Sequence, residues 1–452
     1  MKGTRRKLKD PRDILRRSPA ATTGGLSGNE PLEGFPKNVN TNSRPSRLKI
    51  TDLRVAVVTD APFPCPIIRV DTNQGIYGLG EVRDGASPTY AVSLKSRLLG
   101  ENPCNVDRLF RKIKQFGGHG RQGGGVSGIE MALWDLAGKA YNAPVYQMLG
   151  GKFRDRIRIY ADTPASHEAR VYAERLKKRM KRGLTWLKMD LGYDLVRKTP
   201  GTVTQPSGLS PEEQRFTAHM FTGIELTDKC VAMMADWVAQ VREVVGMEIP
   251  LSVDHFGHIG VNSCIRLGRT LERYNLAWLE DMIPWQYTRL WKQITTCINL
   301  PTTTGEDIYL KEGFVRLCRN HAVRIIHPDL ATAGGILETK KIGDMAQESG
   351  VPMAMHFAGT PVSCMASVHC AAATENFLVL ENHSLDHAWW DDLVEGIGKP
   401  IVNRGYITVP DSPGLGITLN EDTVKRHLAP GTGYFEPTAE WDKERSWDWL
   451  WS

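Results

Sequence analysis

Three short apolar segments each end in a carboxylate: Leu251-Ser252-Val253-Asp254, Ala277-Trp278-Leu279-Glu280 and Thr303-Thr304-Gly305-Glu306. The three acids follow one another at a constant interval of 26 residues. One strand–helix unit of a (β/α)₈ barrel takes roughly 25–35 residues, so this interval places the acids at the same height on consecutive strands. Converging carboxylates repel one another unless a cation lies between them, and hard oxygen ligands favour Mg²⁺. The sequence therefore predicts a Mg²⁺ site, with Asp254, Glu280 and Glu306 as ligands, at the mouth of a barrel.

The barrel prediction extends outward from these segments. From Arg158 onward, short β-rich segments alternate with helical patterns eight times, which favours a closed (β/α)₈ barrel over an open sheet. The predicted strands are Ile157–Ala161, Thr185–Leu191, Ile249–Asp254, Ala277–Glu280, Thr302–Glu306, Val323–Pro328, Val351–His356 and Phe377–Glu381. A long gap separates the second strand from the third, and its polar part, residues 198–214, is a candidate lid over the mouth.

A smaller α+β domain is predicted ahead of the barrel. Residues 47–157 begin with β-rich segments joined by a turn at 72–75, and residues 90–116 have a helical pattern. The Ser127-Gly128-Ile129-Glu130 stretch matches a capping box at the start of another helix. The fold class is therefore α/β, with this domain, the barrel at 158–400 and a C-terminal segment at 401–452 that packs back on the first domain.

Composition and charge narrow the class of protein. The 452 residues are 41% hydrophobic and 24% charged, as in ordinary soluble proteins, and no apolar run approaches the ~20 residues of a membrane helix. The net charge of +6 resides in residues 1–17, so the folded part is neutral overall and does not resemble a nucleic-acid binder. Residues 1–46 read as a basic, flexible extension. The eight scattered cysteines predict reduced thiols in a cytoplasmic enzyme.

The arginine pairs of the extension raise the alternative of export. Arg5-Arg6 and Arg16-Arg17 are similar to a twin-arginine signal. The apolar stretch of ~7–15 residues that such a signal needs does not follow either pair. A cytoplasmic location is therefore the expectation, with export as the weaker alternative.

A second pair of residues points to proton transfer. Asp329 in His-Pro-Asp-Leu and His356 in Met-Ala-Met-His-Phe occupy the ends of strands six and seven, which are neighbours in a barrel. A carboxylate that accepts the Nδ1–H of a histidine fixes its tautomer and raises its basicity. The pair is therefore the candidate general base.

Further candidates follow other strands. Lys188 and Asp190 are two residues apart at the end of strand two and so share one face, and Glu381 ends strand eight, where it could hydrogen-bond a developing enolate. His255 and His258 follow the first predicted metal ligand, and either is a candidate general acid. His255, one residue past Asp254, is expected to point away from the side of Asp254.

A glycine-rich stretch allows two interpretations. Residues 118–123 match G-x-G-x-x-G, but they follow a helical pattern rather than a strand, so a dinucleotide site fails its context test. A glycine loop beside the active site is the better interpretation. His119 and Arg121 in this loop, and His383 after strand eight, are candidate substrate-binding residues.

Together these residues resemble the enolase superfamily, in its mandelate racemase group, over about residues 48–430. The resemblance rests on the metal triad, the Asp329–His356 pair and Glu381. It rests also on the stretches Gly-Ile-Glu-Met-Ala-Leu-Trp-Asp-Leu-Ala-Gly-Lys and Leu-Gly-Gly-Lys of the small domain. It implies an enolase-like modified barrel with an α+β capping domain, a Mg²⁺ cofactor and a symmetric homo-oligomer.

One departure from that group bears on the reaction. The racemases of the group carry Lys-x-Lys on strand two, whereas this chain has Lys188-Met189-Asp190, so a base for the second face of the substrate is missing. A dehydratase needs one base and one acid. The resemblance therefore implies a dehydratase of a sugar acid, an aldonate or aldarate, which removes the proton next to the carboxylate and eliminates the β-hydroxyl to give a 2-keto-3-deoxy acid.

Other functions stay open from the sequence. An epimerase, racemase or cycloisomerase would pass through the same enediolate, and a non-catalytic sugar-acid-binding regulator on the same fold is an alternative of another class. The expected partner is a small sugar acid, with neither nucleic acid nor membrane. The sequence does not identify which sugar acid is bound.

Overall fold

The structure is a computed structural model that describes residues 44–59, 61, 63–204, 222–256 and 259–443. Its N-terminal part begins with an antiparallel sheet of three strands, β1 (Ile50–Val58), β2 (Cys65–Thr72) and β3 (Tyr77–Glu81), in the order β1-β2-β3. The turn between β2 and β3 contains Gly75 with a φ of 75°, a left-handed conformation that glycine adopts without a Cβ penalty. The predicted hairpin is therefore confirmed.

Helices cover one face of this sheet. The helices of the N-terminal part are α1 (Thr89–Val92), α2 (Val106–Ile113), α3 (Gly124–Tyr141) and α4 (Val145–Met148). The prediction of a helical stretch over 90–116 was too long, because α1 and α2 are separated by a 3₁₀ turn and loop. The long helix α3 lies directly on β3: a Cβ at Gly80 would come within 1.9 Å of the Gly128 carbonyl oxygen. Small residues are therefore required where these two elements cross.

The capping box predicted at Ser127 was wrong. Helix α3 begins at Gly124, so Ser127 lies inside its first turns, where its hydroxyl donates to the Gly123 carbonyl. Glu130 does not reach back to its own helix. Its carboxylate instead accepts hydrogen bonds from the backbone N–H groups of Ile336 and Leu337, at the start of another helix.

The second part of the chain is a curled sheet of mostly parallel strands with helices outside it. Its nine strands lie in the order β15-β4-β13-β12-β11-β10-β9-β8-β5. They are β4 (Arg156–Ala161), β5 (Leu187–Asp190), β8 (Leu251–Asp254), β9 (Leu279–Glu280), β10 (Thr302–Thr304), β11 (Ile325–Ile326), β12 (Met353–Met355), β13 (Phe377–Asn382) and β15 (Tyr406–Thr408). Eight of these coincide with the eight predicted strands, and the predicted fold class is confirmed.

The helices of this part follow the strands. They are α5 (Ala169–Lys181), α6 (Asp228–Val245), α7 (Val261–Leu271), α8 (Thr288–Cys297), α9 (Lys311–Arg319), α10 (Leu330–Ala333), α11 (Ile336–Glu348), α12 (Pro361–Ala372) and α13 (Glu421–Arg426). Because each helix returns the chain to the same end of the sheet, the carboxyl ends of the strands meet at one mouth.

Two short antiparallel pairs complete the described strands. β6 (Val203–Thr204) pairs with β7 (Glu225–Leu226), and β14 (Val394–Glu395) pairs with β16 (Thr418–Leu419). The candidate lid at 198–214 is described only as far as Thr204; the rest lies outside the described residues.

Strand β5 forms one edge of the curled sheet, and strand β4 lies next to the other edge. Strand β4 pairs with β13 on one side and with the antiparallel β15 on the other. Towards β5, the guanidinium of Arg158 donates to the Thr185 hydroxyl at 2.8 Å and to the Thr185 carbonyl at 2.5 Å. A side chain therefore links the first and second barrel strands.

Two buried glutamates, Glu81 and Glu130, join the N-terminal part to the barrel helices; we call them the docking glutamates. Glu81 accepts from the N–H of Thr360 at 3.0 Å and from that of Ser363 at 3.3 Å, at the start of α12. Glu130 accepts at 2.6 Å from the Ile336 N–H at the start of α11. Each carboxyl group supplies partners for N–H groups that a helix start leaves unbonded.

Burial raises the pKa of both docking glutamates, against the opposing effect of these hydrogen bonds: to about 7 for Glu81 and about 8 for Glu130.

The C-terminal residues that are described contact the first sheet. Leu428 forms a β-bridge with Val58, and Lys95 lies 2.6 Å from Asp442. Of the four tryptophans near the end of the chain, Trp441 packs on the core of the N-terminal part, and the other three lie outside the described residues.

All eight cysteines are free, and six are buried, as predicted. Among the described residues, the helices are too short or too polar to cross a bilayer.

Candidate active site at the mouth of the barrel

Four acidic residues lie close together at the ends of strands β8, β9 and β10: Asp254, Glu280, Asp281 and Glu306, the mouth carboxylates. Carboxylate oxygens of Glu280, Asp281 and Glu306 lie within 4.8 Å of one another. Asp254 is the next residue along the mouth, and its charge acts on both Asp281 and Glu306. The structure thus groups two of the predicted ligands, Glu280 and Glu306, with Asp281, which the sequence did not single out, and places Asp254 beside them.

Asp281 reaches the group because of an unusual backbone. Its φ is 44°, in the left-handed region, so its side chain turns to the same side as that of Glu280 instead of alternating. The Thr304 hydroxyl donates a hydrogen bond to Asp281. Burial, followed by the charges of Glu306, Glu280 and Asp254, raises the pKa of Asp281 well above its usual range.

The electrostatics of this group fit a cation. Glu280 is fully buried, and its Oε1 has no hydrogen-bond partner with acceptable geometry, although His327 Nδ1 lies 2.7 Å away. Its other oxygen accepts from the indole N–H of Trp278 at 2.8 Å. A buried carboxylate oxygen without a partner is costly, and a divalent cation is the ligand that hard oxygen donors prefer. These residues therefore suit a divalent metal.

Lys188 links this group to the other side of the barrel. Its Nζ lies 2.7 Å from Asp254 Oδ2 and 2.7 Å from Glu381 Oε1, and its side chain is almost fully buried. Burial acts to lower the pKa of Lys188, but the carboxylates of Asp254, Glu280 and Glu381 raise it well above its usual range. The amine is therefore a fixed positive charge inside the mouth.

The predicted Asp329–His356 pair is present. His356 Nδ1 lies 2.6 Å from Asp329 Oδ2, and His356 Nε2 lies 3.2 Å from Glu306 Oε2. Asp329 also caps α10 by accepting from the N–H of Thr332 at 3.1 Å, so its position is fixed by the backbone. One ring nitrogen is thus oriented, and the other faces the mouth carboxylates.

The proton affinity of His356 depends on those neighbours. Burial acts to lower the pKa of His356, whereas the charge of Glu306 and the hydrogen bond to Asp329 raise it to about 10. A cation bound at Glu306 would oppose this rise, because it would offset the negative charge that stabilises the imidazolium.

Glu381, the predicted hydrogen-bonding partner of a developing enolate, lies in a buried network. Its Oε2 accepts from the Tyr160 hydroxyl at 2.8 Å, its Oε1 accepts from Lys188, and His383 Nε2 lies 3.0 Å from Oε1. Against burial, the charges of Lys188 and His383 lower the pKa of Glu381 well below its usual range. In this arrangement the carboxylate contacts both Lys188 and His383, which add two nitrogen donors to the mouth.

His255 points in the direction opposite to the one expected. Its φ of 62° turns the imidazole back, so that Nε2 lies 3.6 Å from Asp254 Oδ2 and 3.8 Å from Asp190 Oδ1. Most of the His255 side chain is exposed to solvent at the mouth. Burial raises the pKa of Asp190 to about 6. His258, the other candidate general acid, lies outside the described residues.

A cavity of about 230 Å³ opens beside the mouth carboxylates. Its lining includes Asp281, Glu306 and Asp307 from the barrel, Trp285 from the loop after β9, and His119 from the glycine loop of the N-terminal part. The predicted substrate residue His119 is therefore at the cavity. Its ring lies 4.6 Å from that of Trp285, and its Nδ1 accepts from the Tyr309 N–H.

Arg121 is engaged elsewhere. Its Nε donates to the Asp84 carbonyl at 2.8 Å, and its terminal nitrogen lies 3.0 Å from Asp84 Oδ2. It is not among the residues that line the cavity. The glycine stretch itself forms a 3₁₀ turn, Gly120–Gly123, that runs into α3, and a dinucleotide fingerprint is not formed there.

Four residues of the site were missed from the sequence: Arg83, Tyr160, Asp281 and His327. His327 could have been found, because it lies two residues before Asp329 and so on the same face; its Nε2 lies 2.8 Å from the Tyr160 hydroxyl. Arg83 gave no local signal, since it comes from the N-terminal part and reaches the mouth only in the folded chain.

Comparison with known families agrees with this geometry. Residues 38–150 match the model of the mandelate racemase/muconate lactonizing enzyme N-terminal domain, and residues 171–423 match the model described as enolase C-terminal domain-like. Among solved structures, a mandelate racemase/muconate lactonizing enzyme-like protein from Rubrobacter xylanophilus aligns with a TM-score of 0.76 at 30% identity. That alignment covers 86% of this chain and 99% of the other.

Named relatives are sugar-acid dehydratases. D-xylonate dehydratase of Haloferax volcanii is 36% identical over 395 residues, which cover 86% of this chain and 91% of that enzyme. Arabinonate dehydratase of Saccharolobus solfataricus is 27% identical over 388 residues, covering 83% of this chain and 93% of that enzyme. With both family models matched along most of its length, the chain belongs to the enolase superfamily, whose members bind a divalent metal.

Proposed function

We propose that this protein is a hydro-lyase that dehydrates a sugar acid, an aldonate or aldarate, to a 2-keto-3-deoxy acid, with Mg²⁺ as the divalent ion. The observation that carries the proposal is the position of His356: it is oriented by Asp329 at 2.6 Å and faces Glu306 at 3.2 Å. A base fixed beside a group that suits a divalent ion is the requirement for removing a proton next to a carboxylate. The names of the relatives support the substrate class.

The protein would supply the ligands of the ion, and the ion would supply positive charge to the substrate. Asp254, Glu280 and Glu306 would hold the ion, with Asp281 adjacent. When bound, the ion supplies positive charge that binds a substrate carboxylate and acidifies the neighbouring C–H. Mg²⁺ fits an all-oxygen donor set better than softer metals do.

The first step belongs to His356. Its Nε2 accepts the proton from the carbon next to the carboxylate, while Asp329 holds Nδ1 and stabilises the imidazolium that forms. Negative charge then develops on the carboxylate oxygens of the substrate. The Lys188 amine, fixed between Asp254 and Glu381, is a preorganised donor for that charge, because it does not need to reorient during the reaction.

Elimination of the β-hydroxyl needs an acid. His356 can return its proton to the leaving oxygen if both groups leave from one face. The alternative is His255, whose exposed imidazole lies at the mouth and whose pKa is raised by the charge of Asp254. After the hydroxyl leaves as water, the enol collapses to the 2-keto acid.

The residues of strand β5 favour a dehydratase over a racemase. A racemase needs a base on each face of the reacting carbon. On β5 the single lysine is held in ion pairs with Asp254 and Glu381, and the second position is the carboxyl group of Asp190. An epimerase would need a second basic side chain that this strand does not provide.

The experiment is a screen of a library of acid sugars with Mg²⁺, with 2-keto-3-deoxy acid formation detected chemically and products identified by NMR. We expect turnover of pentonates or hexonates. Recovery of only epimerised or cyclised products would overturn the dehydratase proposal while leaving the shared proton-abstraction step intact. Binding of sugar acids with no exchange of the α-proton in D₂O would overturn the enzyme proposal itself.

Several expectations stay predictions. These are the division of the chain at residues 46, 157 and 400, a cytoplasmic location, assembly as a homo-oligomer, and a small sugar acid as the only class of partner. Light scattering of the purified chain tests the assembly prediction directly.

A further inference from the structure

The side chain of Arg83 enters the mouth of the barrel from the N-terminal part of the chain. It follows strand β3 and is only 1% exposed. Its Nε lies 2.9 Å from Asp84 Oδ1, and one terminal nitrogen donates to the Glu306 carbonyl at 2.8 Å and to the Thr332 hydroxyl. Its other terminal nitrogen lies 3.5 Å from Glu306 Oε1. All three guanidinium nitrogens are therefore engaged.

These contacts place Arg83 between two groups on which the reaction depends. Glu306 is a predicted metal ligand, and Asp329, whose Oδ2 lies 3.7 Å from Arg83 Nε, orients the base His356. Without the guanidinium, the buried carboxylate of Asp329 and the partly exposed carboxylate of Glu306 would repel each other, with Asp84 and Asp307 close by. We propose that Arg83 is a positioning residue, by which the N-terminal part of the chain fixes Glu306 and the His356–Asp329 pair at their working separation.

The surroundings of Arg83 hold it in a single orientation. Asp84 is the ion-pair partner of Arg83. Arg121 contacts both the backbone carbonyl and the carboxylate of Asp84. Gly124 lets helix α3 begin directly against the Arg83 backbone, since a Cβ there would come within 2.6 Å of the Arg83 nitrogen. The guanidinium therefore has little freedom to follow a shift of Glu306.

The geometry needs arginine rather than a generic positive charge. A guanidinium is a rigid planar fork with five donors, whereas a lysine amine is a single point. One amine cannot contact Asp84, the Glu306 carbonyl and the Glu306 carboxylate from one position. Arg83→Lys thus keeps the charge and removes the positioning, which separates the two roles.

The test has two measurements, Mg²⁺ binding and enzyme kinetics, and only the kinetic measurement rests on the proposed function. We expect Arg83→Lys to weaken Mg²⁺ binding, measured by calorimetry with the metal alone, by about 10–100-fold, as losses of groups that orient metal ligands do. With the sugar acid found in the screen, we expect kcat to fall by a similar factor while KM changes by less than about threefold. The calorimetric arm stands even if the screen finds no substrate.

The matched control is Arg242→Lys. Arg242 is also a buried arginine, 6% exposed, and its guanidinium donates to backbone carbonyls, including those of Tyr274 and Asn275, near the opposite ends of the strands. We expect this variant to lower the melting temperature without changing Mg²⁺ affinity or kcat. Asp84→Asn provides a second, milder test if Arg83→Lys does not fold, and should weaken Mg²⁺ binding in the same direction.

The outcomes are decisive in either direction. A loss of Mg²⁺ affinity in Arg83→Lys, or in Asp84→Asn if the first does not fold, that Arg242→Lys does not share supports the proposal. Mg²⁺ affinity within about threefold of the parent protein, with only a lowered melting temperature, overturns it and leaves Arg83 a purely structural residue.

Discussion

The docking glutamates are both buried, whereas the mouth carboxylates combine two buried acids, Asp254 and Glu280, with two partly exposed ones, Asp281 and Glu306, and the two groups differ in their hydrogen-bond partners. Glu81 and Glu130 have backbone N–H donors at the starts of barrel helices. In the mouth, a buried oxygen of Glu280 lies 2.7 Å from His327 Nδ1 without good hydrogen-bond geometry, and burial together with the neighbouring acids raises the pKa of Asp281. The comparison teaches that burial of an acid does not mark a site; a buried acid whose partners are incomplete does.

The largest expected difference between the two groups lies in the chemical step. His356→Asn removes the base beside the mouth carboxylates and should slow exchange of the α-proton of the substrate in D₂O by about 10²–10⁴-fold. Mg²⁺ binding should survive, because the ligand acids remain. Exchange followed by NMR at the rate of the parent protein would show that His356 is not the base.

The matching change among the docking glutamates is Glu130→Gln. The amide cannot accept all three hydrogen bonds that the carboxyl group accepts, from Ile336, Leu337 and Trp134. We expect a loss of about 1–3 kcal/mol in the free energy of unfolding, measured with urea, and an unchanged exchange rate at 25 °C. A slowed exchange rate would mean that the docking glutamates take part in the chemistry.

A change in metal affinity is the second-largest effect expected. Glu280→Gln should weaken Mg²⁺ binding, measured by calorimetry, by more than the roughly 10–100-fold that changes outside the ligand shell cost. Without metal the same change should cost little stability, because it removes a charge from a group of acids that repel one another. Unchanged Mg²⁺ affinity would remove Glu280 from the predicted ligands.

Binding and removal of the metal should change the stability of the fold. Saturating the parent protein with Mg²⁺ at 100 times its dissociation constant should stabilise the fold by about 2.7 kcal/mol, and a chelator should reverse this. The gain should persist in Glu130→Gln and be lost in Glu280→Gln, as read from melting temperatures. An equal gain in both variants would contradict the separation of the two groups.

The last expected effect is on the pH dependence of stability. The folded pKa values of Glu81 and Glu130, about 7 and about 8, lie above the unfolded value of about 4.3. Their stabilising contribution is therefore complete below about pH 4 and is lost as the pH rises through 7 and 8. The double variant Glu81→Gln/Glu130→Gln should flatten this decline, as measured by urea unfolding at a series of pH values between 5 and 8.5. Identical slopes would show that the two groups do not titrate in this range.

The sequence predicted those residues whose position follows from strand periodicity. Asp254, Glu306 and His356 fall at or just past strand ends, where the alternation of the barrel places them, so spacing alone located them. Asp281 was not singled out, and His255 was expected to point the wrong way, because a left-handed backbone reverses the direction that strand alternation would give.

Local sequence patterns could not predict the residues whose partners are distant in the sequence. Arg83 and the docking glutamates gain their partners only when the N-terminal part lies on the barrel. The motif at Ser127–Glu130 predicted a cap for its own helix, and the same glutamate instead serves a helix some two hundred residues away. A local motif can show that a side chain is able to cap a helix, but the tertiary fold determines which helix it caps.

The antiparallel strand β15 has a consequence for the integrity of the barrel. It covers the flank of β4 that faces away from β13, so the first barrel strand has hydrogen-bonded neighbours on both sides. A chain stopped at residue 400 would leave that flank as a bare row of N–H and C=O groups, a template for pairing with other molecules. Strand β15 thus removes an open strand edge from the start of β4.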